Sequence, residues 1–325
     1  MNVRHSAIAL IAITAAFLQP AAAADYPTRA VSFVVPYAAG GATDQLARVL
    51  GRQLETKLGQ SFVIENRPGA SSAIGAAYVS KAPPDGHTIL MGTSTTMAIN
   101  VSVFKKLGYQ PLVDLTPVAL IANSPFVLVV NNNLPVRSVA DLVKLAKSKP
   151  GELTYASSGP GSAHHLDMQL LASMTGLKLT HVVYKGSLPA LNDVIAGHVQ
   201  MMFSDMSAAL PLIAAGKVRA LGISTAKRTA GAPDLPSVAE SGVPGYDAAA
   251  WQMVIMHAKT PDHIVDTLHN TLKEFQTTDE FKKRVSQWGL EPVVTQSRPE
   301  LARFVADEIV RWRGVVADAG LADVP

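Results

Sequence analysis

Cysteine is absent from all 325 residues. Disulfides, thiolate metal sites and cysteine nucleophiles are therefore excluded, and so is a lipid anchor on a cysteine behind an export leader. Charge is scarce too. Only 16% of residues are Asp, Glu, Lys or Arg, and the net charge is +3. The basic residues are dispersed, as at Lys105-Lys106 and Lys282-Lys283-Arg284. They do not make the concentrated basic face that nucleic acid requires. Beyond the first two dozen residues, no apolar run approaches the roughly 20 residues that span a bilayer. Repeats of short period and low-complexity tracts are missing, as is the Gly-x-Ser-x-Gly elbow of an α/β-hydrolase.

What is present begins with a leader. Arg4 gives a charged start, residues 7–18 form a short apolar core, and Ala22-Ala23-Ala24 fits a small-residue cleavage site. The expectation is export to the periplasm, cleavage near Ala24 and a soluble mature chain. Losing the leader removes Arg4 and no acid, so the charge excess falls to +2. A chain this long buries a core large enough to dispense with disulfides and metals, and its length suggests two domains.

Short apolar runs alternate with amphipathic helical patterns. Strands are expected at 30–35, 62–65, 88–92, 118–121, 126–130, 153–156, 180–183, 199–203, 218–224 and 253–256. Most are continuously apolar, as parallel strands covered on both faces would be. Helix starts carry capping chemistry at Ser138-Val-Ala-Asp141, Thr260-Pro261 and Ser297-Arg-Pro-Glu300. Alternating strands and helices indicate an α/β architecture. One strand–glycine–helix unit falls in each half, which points to two similar lobes. Strands 126–130 and 251–256 are the expected crossings. Lobe I is then discontinuous, 25–125 plus 255–325, and lobe II is 126–254.

The two units are Val31-Ser-Phe-Val-Val-Pro-Tyr-Ala-Ala-Gly-Gly-Ala-Thr-Asp44 and Leu153-Thr-Tyr-Ala-Ser-Ser-Gly-Pro-Gly-Ser-Ala-His-His165. In each, a strand runs into glycines and then a helix start, whose free N–H groups and partial positive charge attract an anion. Gly40 and Gly41 leave the backbone bare, and Thr43 or Asp44 can cap the following helix. The second unit adds hydroxyls, which hold a carboxylate without a permanent charge. His164 stands where a dinucleotide fingerprint needs its third glycine, which argues against that cofactor. His164 and His165, adjacent on a helix, point about 100° apart and do not readily share a metal ion.

Asp205, at a strand end, reads equally as a cleft carboxylate and as the cap of the next helix. Ser94 follows a strand and is the nucleophile candidate by position, with no base assigned to it. Lys185, after Tyr184, is a solvated cation or an anion attractor. Trp251 either walls the cleft or packs in the core.

The ordered motifs resemble the Bug family, the periplasmic solute-binding receptors of tripartite tricarboxylate transporters. The resemblance is carried by residues 35–44, Val63-Ile-Glu-Asn-Arg-Pro-Gly-Ala70, Ala82-Pro-Pro-Asp-Gly86-His-Thr, residues 155–162, Val183-Tyr-Lys-Gly186, Gly216-Lys-Val-Arg-Ala-Leu221 and Asp234-Leu-Pro-Ser-Val-Ala-Glu-Ser-Gly242. It implies a two-lobed type II periplasmic-binding-protein fold, a Venus flytrap with its ligand cleft between the lobes. It also implies a non-catalytic monomer that captures a small carboxylate for membrane permease subunits, without a cofactor or metal. Carried over by motif, the ligand residues are Tyr37, Ala39, Gly40, Gly41, Thr43 and Asp44 from the first turn. The second supplies Ser158, Gly159, Gly161, Ser162 and His164, with Ser94 and Asp205 on the remaining wall. Tyr37-Ala38-Ala39 departs from the Phe-Pro-Pro common in the family, so no relative's ligand is borrowed. The ligand classes are amino acid, dicarboxylate, hydroxy acid or aromatic acid. The alternatives are a sensory receptor read by a signalling partner and a serine hydrolase.

Overall fold

The computed structural model describes residues 26–322; the leader at 1–24 lies outside them. In chain order the elements are β1 (Val31–Val35), α1 (Ala42–Leu58), β2 (Phe62–Asn66), α2 (Ala73–Val79), β3 (Thr88–Thr93), a π-helical turn (Thr95–Ile99) and α3 (Asn100–Val103). Next come β4 (Leu115–Ser124), β5 (Phe126–Val130), α4 (Val139–Ser148), β6 (Thr154–Ser157), α5 (Ala163–Thr175), β7 (Thr180–Val183), α6 (Ser187–Ala196) and β8 (Met201–Asp205). The chain closes with α7 (Met206–Ala214), β9 (Arg219–Ile223), β10 (Ala250–His257), α8 (Asp262–Thr277), α9 (Asp279–Gln287), β11 (Glu291–Pro292) and α10 (Arg298–Asp318).

Two sheets form, one per lobe, with strand orders β11-β4-β10-β3-β1-β2 and β7-β6-β8-β5-β9. Each is covered on both faces. The first separates a cluster around Phe33, Leu50 and Phe281 from one around Leu90, Met253 and Trp312. The second separates a cluster around Tyr155 and Phe203 from one around Met202 and Val194. That double burial explains the continuous apolar runs: β5 and all but the last residue of β10 are buried.

The sheets are mixed rather than parallel. β1, β2 and β3 run parallel, but β10 is antiparallel to β3 and β4, and β5 to β8 and β9. Neither β5 nor β10 crosses between lobes as expected from their sequences; each lies wholly in one sheet. The chain passes to the second sheet at Pro125, between β4 and β5, and returns just before β10. β10 spans the expected boundary at 254/255 and pairs along its whole length with β4. The two passages lie side by side. Ser224 Oγ accepts from Phe126 N at 2.9 Å, and Ala248 N donates to Ser224 O at 2.8 Å.

The caps are read well in two of three places. Ser138 Oγ accepts from Asp141 N at 3.0 Å, and Glu300 Oε2 accepts from Ser297 N at 2.9 Å. Thr260 does not cap α8, which starts after Pro261; its hydroxyl is buried without a partner. Trp251 is core rather than cleft wall. It is 2% exposed, and its indole N–H donates to Glu308 Oε2 at 2.8 Å.

One buried group between the lobes has no partner. Asp167 on α5 is fully buried, and neither carboxyl oxygen makes a hydrogen bond. Burial pushes its pKa well up; Arg311 of α10 opposes the rise and Asp247 adds to it. The native state therefore keeps this proton at pH values where the unfolded chain has ionised, so stability falls as pH climbs past the ordinary carboxylate range. Asp167→Asn should raise the melting temperature at neutral pH, by about 2–4 °C for each kcal/mol recovered. The gain should shrink toward pH ~4, the ordinary aspartate value. Melts of both proteins across that range check this, and no gain at neutral pH would mean that Arg311 holds Asp167 ionised.

Candidate functional site

The first turn is braced from behind. Gly41 is the N-cap of α1 with extended backbone, and no side chain occupies the cap, so the first N–H groups of the helix stay unclaimed. Asp44 does not face the cavity. It is 3% exposed, and its carboxylate accepts from Gly40 N at 3.0 Å, Arg48 Nε at 2.9 Å and Asn66 Nδ2 at 2.9 Å. Burial pushes the Asp44 carboxyl up, but Arg48, Gly40 and Asn66 together outweigh it and hold the pKa below the usual range. Asn66 also donates to Tyr37 O at 3.1 Å, tying the turn to β2. Tyr37 extends its hydroxyl to Thr93 Oγ1 at 2.8 Å.

The second turn sits on a histidine platform. His165 Nδ1 accepts from Gly161 N at 3.0 Å, and His181 Nε2 meets Ser157 Oγ at 2.6 Å. The two imidazoles stack with centroids 3.9 Å apart, and Tyr155 covers His181 at 4.8 Å. Burial lowers His165 to about 3, with His181 adding to the shift, and burial lowers His181 to about 4. Both rings are neutral near pH 7, which leaves Nδ1 of His165 free to accept. Gly161 is required twice over: its φ is +69°, and a Cβ there would lie 2.7 Å from Val103 Cγ1. Ser162 caps α5 and donates its hydroxyl to Gly159 O at 2.7 Å.

Between the turns lies a cavity of about 240 Å³. The first lobe lines it with Tyr37, Ala38, Ala39, Gly41, Ala42 and Thr43, and the second with Ser158, His164, Asp205 and residues 186–189. The polar atoms of the second lobe form a chain. Ser158 Oγ is 2.8 Å from His164 Nδ1, and His164 Nε2 is 3.3 Å from Asp205 Oδ2. Phe126 packs edge-on against the His164 ring at 4.8 Å. Asp205 occupies the N-cap position of α7 but makes no cap bond; its side chain turns to His164. Burial pushes its carboxyl up, yet His164 and Ser187 more than reverse this, and the pKa lies below the usual range. A smaller chamber of about 40 Å³ continues inward past Thr93, Ser162 and Gln252.

Of the residues expected from sequence, Tyr37, Ala39, Gly41, Thr43, Ser158, His164 and Asp205 gather around the cavity, and Ser162 reaches its inner chamber. Gly40, Asp44 and Gly161 are not among its lining residues. Gly159 faces a neighbouring groove, and Ser94 is fully buried with its hydroxyl unpartnered. No base is therefore paired with Ser94. The start of α6 was missed: Gly186 is its N-cap, and Ser187, Leu188 and Pro189 wall the cavity. The signal was a third strand–glycine–helix sequence at Val183-Tyr-Lys-Gly186. Lys185 itself is exposed along the groove next door. The lobes touch at the rim. A Cβ on Gly40 would lie 3.4 Å from Leu188 Cδ1, and Ser71 Oγ donates to Pro160 O.

The family profile described as tripartite tricarboxylate transporter family receptor matches residues 46–321. Protein BugT of Bordetella pertussis (strain Tohama I) is 36% identical over 315 residues, covering 96% of each chain. A Rhodopseudomonas palustris protein solved with adipate is 43% identical with a TM-score of 0.88, covering 92% of this chain and all of that one. The periplasmic binding protein BugD superposes with a TM-score of 0.86 at 32% identity, over 92% of this chain and 100% of its own. MatC of the same Rhodopseudomonas species, solved with bound malate, gives 0.84 at 33% identity, over 90% and 100% of the two chains.

Asp44 is predicted to matter through the turn. Asp44→Ala leaves the Gly40 N–H without its acceptor and the Asn66 amide with Tyr37 O alone, at a cost of about 1–3 kcal/mol in urea unfolding near neutral pH. Because the folded-state pKa is depressed, Asp44 stabilises above the ordinary carboxylate range, and that stability is lost as pH falls through the folded value. The difference between the two proteins should therefore narrow in acid. An equal difference at both pH values would show that charge plays no part.

Proposed function

The chain belongs to the tripartite tricarboxylate transporter receptor family, and from that premise we propose that it is a periplasmic receptor capturing a small carboxylate for uptake. One observation carries this reading. Three helix starts, those of α1, α5 and α6, meet at a cavity that no lysine or arginine of the described residues lines. Each helix start offers roughly half a positive charge and unpaired N–H donors, enough to hold a carboxylate reversibly. A lysine or arginine would add a charge-assisted bond and hold the carboxylate more tightly. Solved relatives hold adipate and malate, which fits this chemistry.

In this reading the carboxylate lies between Gly41–Thr43 and Ser158–Ser162. Asp205 accepts from an amine or hydroxyl of the ligand, and Ala38, Ala39, Leu188 and Pro189 cover its carbon skeleton. Amino acids, dicarboxylates, hydroxy acids and aromatic acids all remain within range. The lobes hinge at Pro125 and before Ala250, so that residues 25–125 together with β10 and the chain after it move against residues 126–249. Membrane permease subunits read the closed form of a monomer exported by cleavage near Ala24. No catalysis and no cofactor are assigned to it, and a sensory partner reading the same closed form is the rival use. A hydrolase has one point in its favour: Ser158, His164 and Asp205 have the connectivity of a nucleophile, base and orienting acid. Turnover of 4-nitrophenyl acetate that disappears in Ser158→Ala would establish it.

Two measurements test the receptor. Ligand-stripped mature protein is screened by thermal shift against adipate, malate, amino acids and aromatic acids. A ligand at 100 times its Kd stabilises by about 2.7 kcal/mol, a clear rise in midpoint. A folded protein that no acid stabilises would overturn the carboxylate reading. Gly41→Val then tests the first turn. Gly41 has φ −75° and a Cβ there meets nothing closer than 4.0 Å, so the variant should fold, with a ligand-free midpoint lowered only by the poorer N-cap. Its side chain enters the cavity, and affinity should fall about a hundredfold, as ~3 kcal/mol of lost approach implies. Unchanged affinity would remove the first turn from the site.

A further inference from the structure

We propose that carboxylate capture in this cavity takes up one proton, carried by His164 and transmitted through Ser158. The inference rests on the carboxylate reading above and adds its regulation by pH. It follows from which atoms of the Ser158–His164–Asp205 chain can donate. An ionised Asp205 only accepts, so a neutral His164 must place its single hydrogen on Nε2. Nδ1 is then an acceptor, 2.8 Å from Ser158 Oγ, and claims the only hydrogen of that hydroxyl. Ser158 thus presents lone pairs to the cavity, which an incoming carboxylate meets as repulsion.

Protonating His164 reverses the chain. Nδ1–H donates to Ser158 Oγ, and the serine hydrogen is released to donate to a ligand carboxylate oxygen. The same proton changes the charge of the His164–Asp205 pair from −1 to zero before an anion arrives. Both effects favour binding, and both come from one proton drawn from solvent and returned when the ligand leaves.

No other group supplies that charge. Asp205 from the β8–α7 turn and Tyr37 from the β1–α1 turn are the titratable side chains that share the cavity with His164. Burial raises the Tyr37 pKa, which keeps its hydroxyl neutral near pH 7. β5 contributes Phe126, and β10 contributes Ala250 and Gln252, all uncharged. Lys185 faces the neighbouring groove, and His165 turns to Gly161 and His181.

The test uses the mature protein and adipate, which is fully ionised above pH ~6.5. Calorimetric titrations are run from about pH 6.5 to 8.5 in two buffers of different ionisation heat. Over that range His165 and His181, lowered to about 3 and 4, do not titrate. Wild-type protein should take up protons as adipate binds, and its Kd should weaken as pH rises. His164→Gln should bind more weakly with no uptake and a flat profile. Asp205→Asn should also flatten the profile, because a neutral partner lets Nδ1–H form without an added proton. Wild-type binding without uptake would overturn the linkage and leave the receptor intact. Uptake that persists in both variants would overturn it too, placing the proton on the ligand or elsewhere. If neither adipate nor any acid of the panel binds, the carboxylate reading falls and the linkage with it.

Discussion

Burying an ionised carboxylate costs several kcal/mol unless nearby groups restore what water supplied. Asp205 sits in that position, at the end of β8 and the start of α7, and the second lobe is arranged around it. β6 and α5 bring His164 to within 3.3 Å. α6 brings Ser187 close enough to stabilise the charge. β5, paired to β8 with Phe126 opposite Asp205, supplies the apolar wall that fixes the imidazole ring. Remove Asp205, and the orientation of His164 and the direction of the Ser158 hydroxyl are no longer determined.

The two glycine turns are held by opposite electrostatic devices. Behind the first stands an ion pair: Asp44 with Arg48, reinforced by Gly40 and Asn66. Arg48 is half exposed, so the pair itself adds little, and the buried N–H bonds carry most of the bracing. Behind the second turn stand two stacked imidazoles kept neutral by burial. Each brace takes an N–H of its own turn, Gly40 in the first and Gly161 in the second, while the first N–H groups of α1 stay unclaimed.

The turns were legible in sequence because their signal is local: strand, glycine, helix start within about a dozen residues. The lobes followed from the repeat of that signal in each half. The polar chain was not legible, because His164 and Asp205 are 41 residues apart and only the β6–β8 pairing brings them together. The direction of Asp44 was hidden for a related reason. An acidic residue in the first turn of a helix serves a ligand or its own loop equally well, and Asn66, 22 residues away, decided the matter. Strand direction was illegible as well: β5 and β10 are apolar because they are doubly covered, and antiparallel neighbours leave the same pattern as parallel ones. β11, two residues long, is too short to carry any pattern.

The side-by-side passages at Pro125 and before Ala250 behave like the spine of a book. Ser224 clips one to the other through Phe126 and Ala248, so the covers can part along that edge but cannot easily twist. Whatever occupies the cavity must then leave at the fore-edge, where Gly40 faces Leu188 and Ser71 reaches Pro160. That doorway is framed by both turns, Gly40 of the first and Pro160 of the second, each met by a residue of the opposite lobe.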